Sequence, residues 1–213
     1  MASLSSPHLH PAGKETTMEF RALNGREIRS WYEREFIRTF PPNEQKPLAF
    51  ILELIAQGRY TLLGLYDGHS LLGYASLQTH PDYPGYVLLD YLGVTADRRN
   101  RGLGGRILSL LGEQYRGKCC IIAEAESPVS GGDAEENDLR ARRIAFYKRS
   151  GLRPVYEMGA CGIRCQALAL GDPGDADALA EAHRAIYGPG RPDITIPLGP
   201  DETPAPAYWG TDI

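Results

Sequence analysis

From Met18 the stretch MEFRAL alternates apolar and polar positions with the two-residue period of a half-buried strand. Asn24 and Glu27 then form a capping-box pattern ahead of Ile28, Trp31, Tyr32 and Phe36, an apolar stripe at helical spacing. Pro41 and Pro42 break that helix, and PLAFILELIAQG predicts a second one stopped at Gly58. YTLLGLYDGHSLLGYASLQ reads as two apolar strands joined by Asp67 and Gly68, the strongest short hairpin signal in the chain. GYVLLDYLGV is a third long strand. It runs into a helix with Leu103, Ile107, Leu111 and Tyr115 on one face and an end near Gly117. KCCIIAEAE predicts a buried strand and SPVSGGDAEEND an acidic loop, and the charged stretch from about Leu139 to Ser150 predicts a helix capped by Gly151. Strands at RPVYEM and CGIRCQALAL complete the pattern.

This order predicts an α/β (α+β) domain over residues 18–171, with a mixed, mostly antiparallel central sheet flanked by helices. Residues 1–17, rich in Ser, Pro, His and Thr and without periodicity, read as a disordered leader, with Met18 as an alternative start. After Gly171, DADALAEAHRAIYG predicts one more helix, and a Pro-rich irregular tail follows, whose Tyr208 and Trp209 point to a tied-down end. A chain of 213 residues buries one sizeable core. Its net charge of −4 argues against a dedicated nucleic-acid binder. No apolar run has the length of a signal peptide core or a membrane span, so a soluble cytoplasmic protein without membrane contact is expected, as a monomer or homodimer. Cys119, Cys120, Cys161 and Cys165 lack zinc-site spacing, which predicts buried reduced thiols and no metal.

The chemistry concentrates in RRNRGLGGRIL, residues 98–108. Gly102, Gly104 and Gly105 stand where a strand passes into a helix, among Arg98, Arg99, Arg101 and Arg106. A helix N-terminus presents unpaired N–H groups and partial positive charge, glycines let that backbone approach a ligand, and arginines suit a polyanionic pyrophosphate. The Lys-Ser/Thr pair of a Walker A loop is missing, and Ile107 stands where a dinucleotide fingerprint needs its third glycine. LGVTADRRNRGLGGRIL resembles the acetyl-CoA-binding motif Q/R-x-x-G-x-G/A of the GCN5-related N-acetyltransferase (GNAT) family, with Arg99, Gly102 and Gly104 at its defined positions. AFYKRSGL, with Tyr147, Gly151 and Leu152, is similar to that family's second signature, although Arg140 stands where the signature often opens with Asn. The element order over residues 18–170 agrees with the acyl-CoA N-acyltransferase (GNAT) fold.

The resemblance implies acetyl-CoA as co-substrate and an N-acetyltransferase acting on a primary amine of a small molecule or peptide, by direct attack in a ternary complex. It implies cofactor contacts at Leu92, Val94, Arg99, Asn100, Arg101, Gly102, Leu103, Gly104, Gly105 and Arg106, with the backbone N–H of Val94 as donor to the acetyl oxygen. Tyr147 matches the acid that protonates the leaving thiolate. Glu124 resembles the strand glutamate used as base in the ribosomal-protein branch, and Asp90 sits where other relatives carry a strand carboxylate. Strand alternation puts Glu126 on the face of Glu124, so acidic residues lining the cleft suit a cationic amine. The competing reading for these carboxylates is solvation, or pairing with arginines of the following helix. For the RARR run, a solvated basic face competes with contact to the cofactor's terminal phosphate. FPPNEQKPLAF is expected to line the acceptor cleft; His69 falls in a hairpin turn and His80 in a loop before Pro81, so neither is a strong catalytic candidate, and His183 lies in the appended helix. The alternatives are a non-catalytic acyl-CoA-binding sensor on the same fold and a different acyl donor such as succinyl-CoA.

Overall fold

The computed structural model describes residues 18–207, so the leader and the pair Tyr208 and Trp209 lie outside the described residues. Seven strands form one sheet: β1 (Met18–Ala22), β2 (Tyr60–Asp67), β3 (Ser70–Gln78), β4 (Tyr86–Val94), β5 (Cys120–Glu126), β6 (Arg153–Ala160) and β7 (Ile163–Leu170). Their order is β1-β2-β3-β4-β5-β7-β6, and every pair is antiparallel except β4–β5. This is the mixed, mostly antiparallel sheet expected from the pattern.

The helices are α1 (Gly25–Trp31), α2 (Leu48–Ala56), α3 (Leu103–Tyr115), α4 (Ala134–Arg149) and α5 (Ala176–Tyr187). The capping box forms: Asn24 accepts from the N–H groups of Arg26 and Glu27, and Glu27 accepts from the Asn24 N–H at 2.8 Å. Arg21 of β1 also donates to Glu27 at 2.8 Å, and this bond, with the Asn24 N–H, pulls the Glu27 carboxyl down to about 2. α1 continues through a π-helical stretch, Tyr32–Phe36, to a last turn at Ile37–Thr39.

α3 and α4 cover one face of the sheet over Leu63, Leu65, Leu77, Val87, Leu89, Ile121 and Leu168. α1 and α2 cover part of the other face over Leu62 and Tyr74, and α5 covers the rest over Leu88, Cys120 and Ile122. The tail after α5 packs too. Thr195 bridges to Gly159 of the edge strand β6, and Ile196 and Leu198 are buried. Arg164 donates to the carbonyls of Gly199, Pro200 and Glu202, which ties the tail to β7.

Two boundaries differ from the pattern. Asp67 pairs with Ser70, so the hairpin turn is Gly68–His69, with Gly68 at a φ of 57°, and Asp67 ends the strand. α4 begins at Ala134 rather than near Leu139. Asp133 caps it by accepting from the Glu136 N–H at 2.9 Å, and Glu135 and Glu136 lie in its first turn, where helix polarity favours acids. Charged residues without an apolar stripe concealed a helical start.

Candidate active site

The site lies where β4 and β5 part. Their parallel pairing covers Tyr86–Leu89 against Cys120–Ala123 and then stops, while β5 goes on pairing with β7 as far as Glu126. Asp90 is the extra residue of a bulge against β3, since Leu89 pairs with Leu77 and Tyr91 with Ser76. Past the bulge, the N–H groups of Tyr91 and Thr95 bond to Ser76 Oγ and Leu72 O on the β3 side, each at 3.0 Å. Alternation therefore turns the N–H groups of Leu92 and Val94 toward the gap.

A cavity of about 500 Å³ fills this gap. Asp90, Leu92, Glu124, Glu126 and Tyr147 line it, so the three sequence-predicted catalytic side chains are brought together. Phe40, Pro41, Glu44 and Lys46 close one side, as expected for FPPNEQKPLAF, and Tyr187 and Arg191 from the C-terminal region close another. Tyr91 Oη donates to the Glu44 carbonyl at 2.6 Å and Tyr32 Oη to the Lys46 carbonyl at 3.1 Å, which fixes the loop carrying these two side chains.

Each carboxylate has its own environment. Asp90 accepts from Tyr60 Oη at 2.6 Å and forms an ion pair with the buried Lys46. Glu126 is paired with Arg140 at 2.8 Å and Arg143 at 3.0 Å, so two arginines of the RARR run turn to this carboxylate. Burial raises Glu126, but those two partners outweigh it and hold the carboxyl below its ordinary value. Glu124 accepts from Tyr187 Oη at 2.7 Å, and His183 Nε2 lies 2.8 Å from its Oε1, off the line of the ring N–H. Burial again pushes upward, and His183, Tyr187 and the charge of Lys46 bring Glu124 below the usual range. Glu44 goes the other way, raised by burial and by the nearby charge of Glu126.

Tyr147 is buried among α4, β5 and the cavity, and burial pushes its phenol up to about 12. No described residue bonds its hydroxyl. Cys161 and Cys165 also face the cavity, but burial raises both thiols, Cys161 to about 11, so neither is a thiolate near neutrality. All four cysteines are free. His183 and Tyr187 are the site residues that the sequence pattern missed. His183 lies among buried apolar positions of α5 such as Leu179 and Ile186, and spacing along that helix carries no signal of its partners on β5 and β6.

The glycine-arginine loop leads from the far end of β4 into α3. Gly102 caps α3 at a φ of 74°, in the left-handed region that favours glycine. A Cβ at Gly104 would sit 3.3 Å from the Phe146 ring, so this glycine lets α4 close on α3 and brings the next residue, Tyr147, to the cavity. A Cβ at Gly105 would meet nothing within 4 Å. Arg99, Asn100, Arg101 and Arg106 are exposed, and Arg99 Nε reaches the Val94 carbonyl at 3.4 Å. Unpaired N–H groups at the start of α3, open space at Gly105 and exposed cationic side chains together suit a diphosphate. Leu103 packs into the core behind them.

The profile of the acetyltransferase (GNAT) family matches residues 25–152. The chain belongs to that family. YjbC of Bacillus subtilis (strain 168), a provisionally named acetyltransferase, is 28% identical over 131 residues, and the match spans 61% of this chain and 60% of that relative. A provisionally assigned GNAT-family acetyltransferase of Bacteroides thetaiotaomicron has the same fold at a TM-score of 0.61 and 21% identity, covering 80% of this chain and 98% of its own. The yncA protein of Salmonella typhimurium, a provisional acetyltransferase solved with acetyl-CoA, aligns at a TM-score of 0.52 and 18% identity over 72% of this chain and 92% of its own. The GNAT profile ends just after α4, so α5 and the tail of this GNAT member lie beyond it. Among the described residues no helix is long and apolar enough to cross a membrane.

Proposed function

We propose that the chain transfers an acetyl group from acetyl-CoA to a primary amine, in a ternary complex and without a covalent enzyme intermediate. One observation carries this reading. Glu124, held below its ordinary pKa, and Tyr147, held protonated, line one cavity at a strand splay whose free N–H groups face inward.

In this reading the first turn of α3 and the side chains of Arg99, Arg101 and Arg106 hold the pyrophosphate, with Asn100 and Leu103–Gly105 shaping the loop. The N–H of Val94, with Leu92 beside it, holds the thioester carbonyl and the negative charge that develops there. An amine of pKa about 10 costs roughly 4 kcal/mol to deprotonate at neutral pH, so an acceptor in the cavity is needed. Glu124 takes that proton, directly or through water. The neutral amine nitrogen then bonds to the carbonyl carbon and the carbon–sulfur bond breaks; Tyr147 passes its proton to the departing thiolate, and the nitrogen releases its second proton to solvent water, from which Tyr147 is reprotonated. Asp90, committed to Lys46 and Tyr60, shapes the cavity. Among the described residues that line the cavity, Glu44 and Glu124 are the carboxylates without an arginine or lysine in salt-bridge contact, which favours a cationic acceptor.

The experiment is thiol release from acetyl-CoA across a panel of amines that includes 1,4-diaminobutane, spermidine, an amino-acid amide and a short peptide. Release with at least one amine is expected. Thermal stabilisation by acetyl-CoA without release by any of them would favour the sensor reading instead. Tyr147→Phe should keep that stabilisation while turnover falls about 10²-fold. Unchanged turnover would remove the acid role from Tyr147.

A further inference from the structure

His183 is fully buried, and both ring nitrogens face side chains rather than backbone. Nδ1 lies 3.0 Å from Tyr156 Oη on β6, and Nε2 lies 2.8 Å from Glu124 on β5. The same carboxylate takes the Tyr187 hydroxyl at 2.7 and 2.9 Å, one turn further along α5. The neighbouring buried positions of α5, Leu179, Ala182 and Ile186, are apolar. An imidazole among them costs desolvation that an aliphatic side chain would avoid, and the carboxylate it faces opens onto the cavity.

We propose that His183 is the positioning residue for Glu124, with Tyr156 fixing its ring from behind and Tyr187 sharing the carboxylate, so that α5 is a working part of the site. This rests on Glu124 acting as the base. With Tyr156 donating to Nδ1, the neutral ring carries its proton on Nε2, toward Glu124. The carboxylate is then held by the Tyr187 hydroxyl and by the close approach of Nε2 to Oε1, off the line of the N–H, and its remaining lone pairs are left for the amine. A ring orientation set by a second group behind it is how histidines elsewhere acquire a defined tautomer. α5 lies outside residues 25–152, the segment that the GNAT profile matches.

The test is a pH titration of the Glu124 side-chain carboxyl by ¹³C NMR in the full chain, its resonance assigned with Glu124→Gln. Facing that carboxyl are His183 and Tyr187 from α5, Lys46 from the loop before α2, Tyr147 from α4, Tyr156 from β6, Cys161 from the turn between β6 and β7, and Cys165 from β7. His183→Leu alters one of them and should move the titration upward by about one pH unit. His183→Gln, whose amide reaches the place of Nε2, should restore part of the shift, and Tyr156→Phe should give a smaller upward shift. In thiol release with the fastest amine of the panel, His183→Leu should lower kcat about tenfold and move the acid limb to higher pH, while KM for acetyl-CoA stays within about twofold. An unmoved titration in folded His183→Leu and Tyr156→Phe overturns the proposal. If His183→Leu does not fold, His183→Gln and Tyr156→Phe decide it in the same way. The titration needs no acceptor, so it decides even if no amine turns over. Full activity in Glu124→Gln would remove the base assignment itself. Loss there, with native kcat and an unmoved acid limb in His183→Leu, overturns the role of His183 alone.

Discussion

Lys46 and Asp90 carry opposite charges on side chains that are 4% and 6% exposed, and they meet at the floor of the cavity beside Tyr60. Neither is in solvent, so each depends on the other for the charge it keeps. Removing one partner of such a pair costs about 3–5 kcal/mol because the remaining charge is buried alone, whereas removing both costs far less. Lys46→Met and Asp90→Asn should therefore each destabilise the chain strongly in urea unfolding, and the double variant should lose much less than the sum. An additive result would mean that the pair does not form. The same bookkeeping separates the carboxylates of the cavity. Glu126 is spent on Arg140 and Arg143, and Asp90 on Lys46. Glu124 faces an imidazole and a phenol that leave its charge available. Sequence alternation put Glu124 and Glu126 on one face, but it carried no information on which would be neutralised.

At the scale of elements, the turn from β4 into α3 was legible because its requirements are local. A left-handed cap, a close helix crossing and an open N-terminus each ask for glycine at a particular position, and Gly102, Gly104 and Gly105 answer them in turn. This makes the three distinguishable. Gly102→Ala should cost about 1–2 kcal/mol for its left-handed backbone. Gly105→Ala meets nothing within 4 Å and improves helix propensity, so the free protein should gain up to about 1 kcal/mol. Its methyl group nevertheless occupies the space over the first turn of α3, and the rise in melting temperature on adding acetyl-CoA should shrink. Thermal unfolding with and without acetyl-CoA reads both effects, and an undiminished rise in Gly105→Ala would show that no phosphate sits there. The capping box at Asn24 and Glu27 was legible for the same local reason, whereas Tyr147 was singled out only by its resemblance to the family's second signature. The start of α4 was not legible, because Asp133 and the acids after it look like loop until a helix axis gives them a direction. His183 was not either, because its partners Glu124 and Tyr156 come from β5 and β6 and no spacing along α5 encodes them.

For the whole molecule, the boundary read after Gly171 separates less than the composition suggests. α5 covers Leu88, Cys120 and Ile122 of the central strands, Ile196 of the tail packs with Met158 and Ala167 of β6 and β7, and Gln78 of β3 donates to the Ile186 carbonyl at 2.8 Å from within the core. Leu179, Ile186, Ile196 and Leu198 are buried to 5% exposure or less. At about 1.5–3 kcal/mol for each such side chain, these four contribute roughly 6–12 kcal/mol. The net stability of a domain is about 5–15 kcal/mol, so residues 172–207 are part of one cooperative core rather than an appendage to it. The tail also covers the outer edge of β6 through the Gly159–Thr195 bridge, where an open strand invites pairing with another chain. A chain ended at Gly171 should therefore show no cooperative melting transition, bind hydrophobic dye and aggregate at concentrations where the full chain stays monodisperse. Restoring it with a separate peptide of residues 172–213 should bring back both the transition and stabilisation by acetyl-CoA. If the shortened chain instead melted cooperatively and near the temperature of the full one, α5 would be dispensable to the core. Its burial against β4 and β5 would then be explained only by what His183 and Tyr187 do to Glu124.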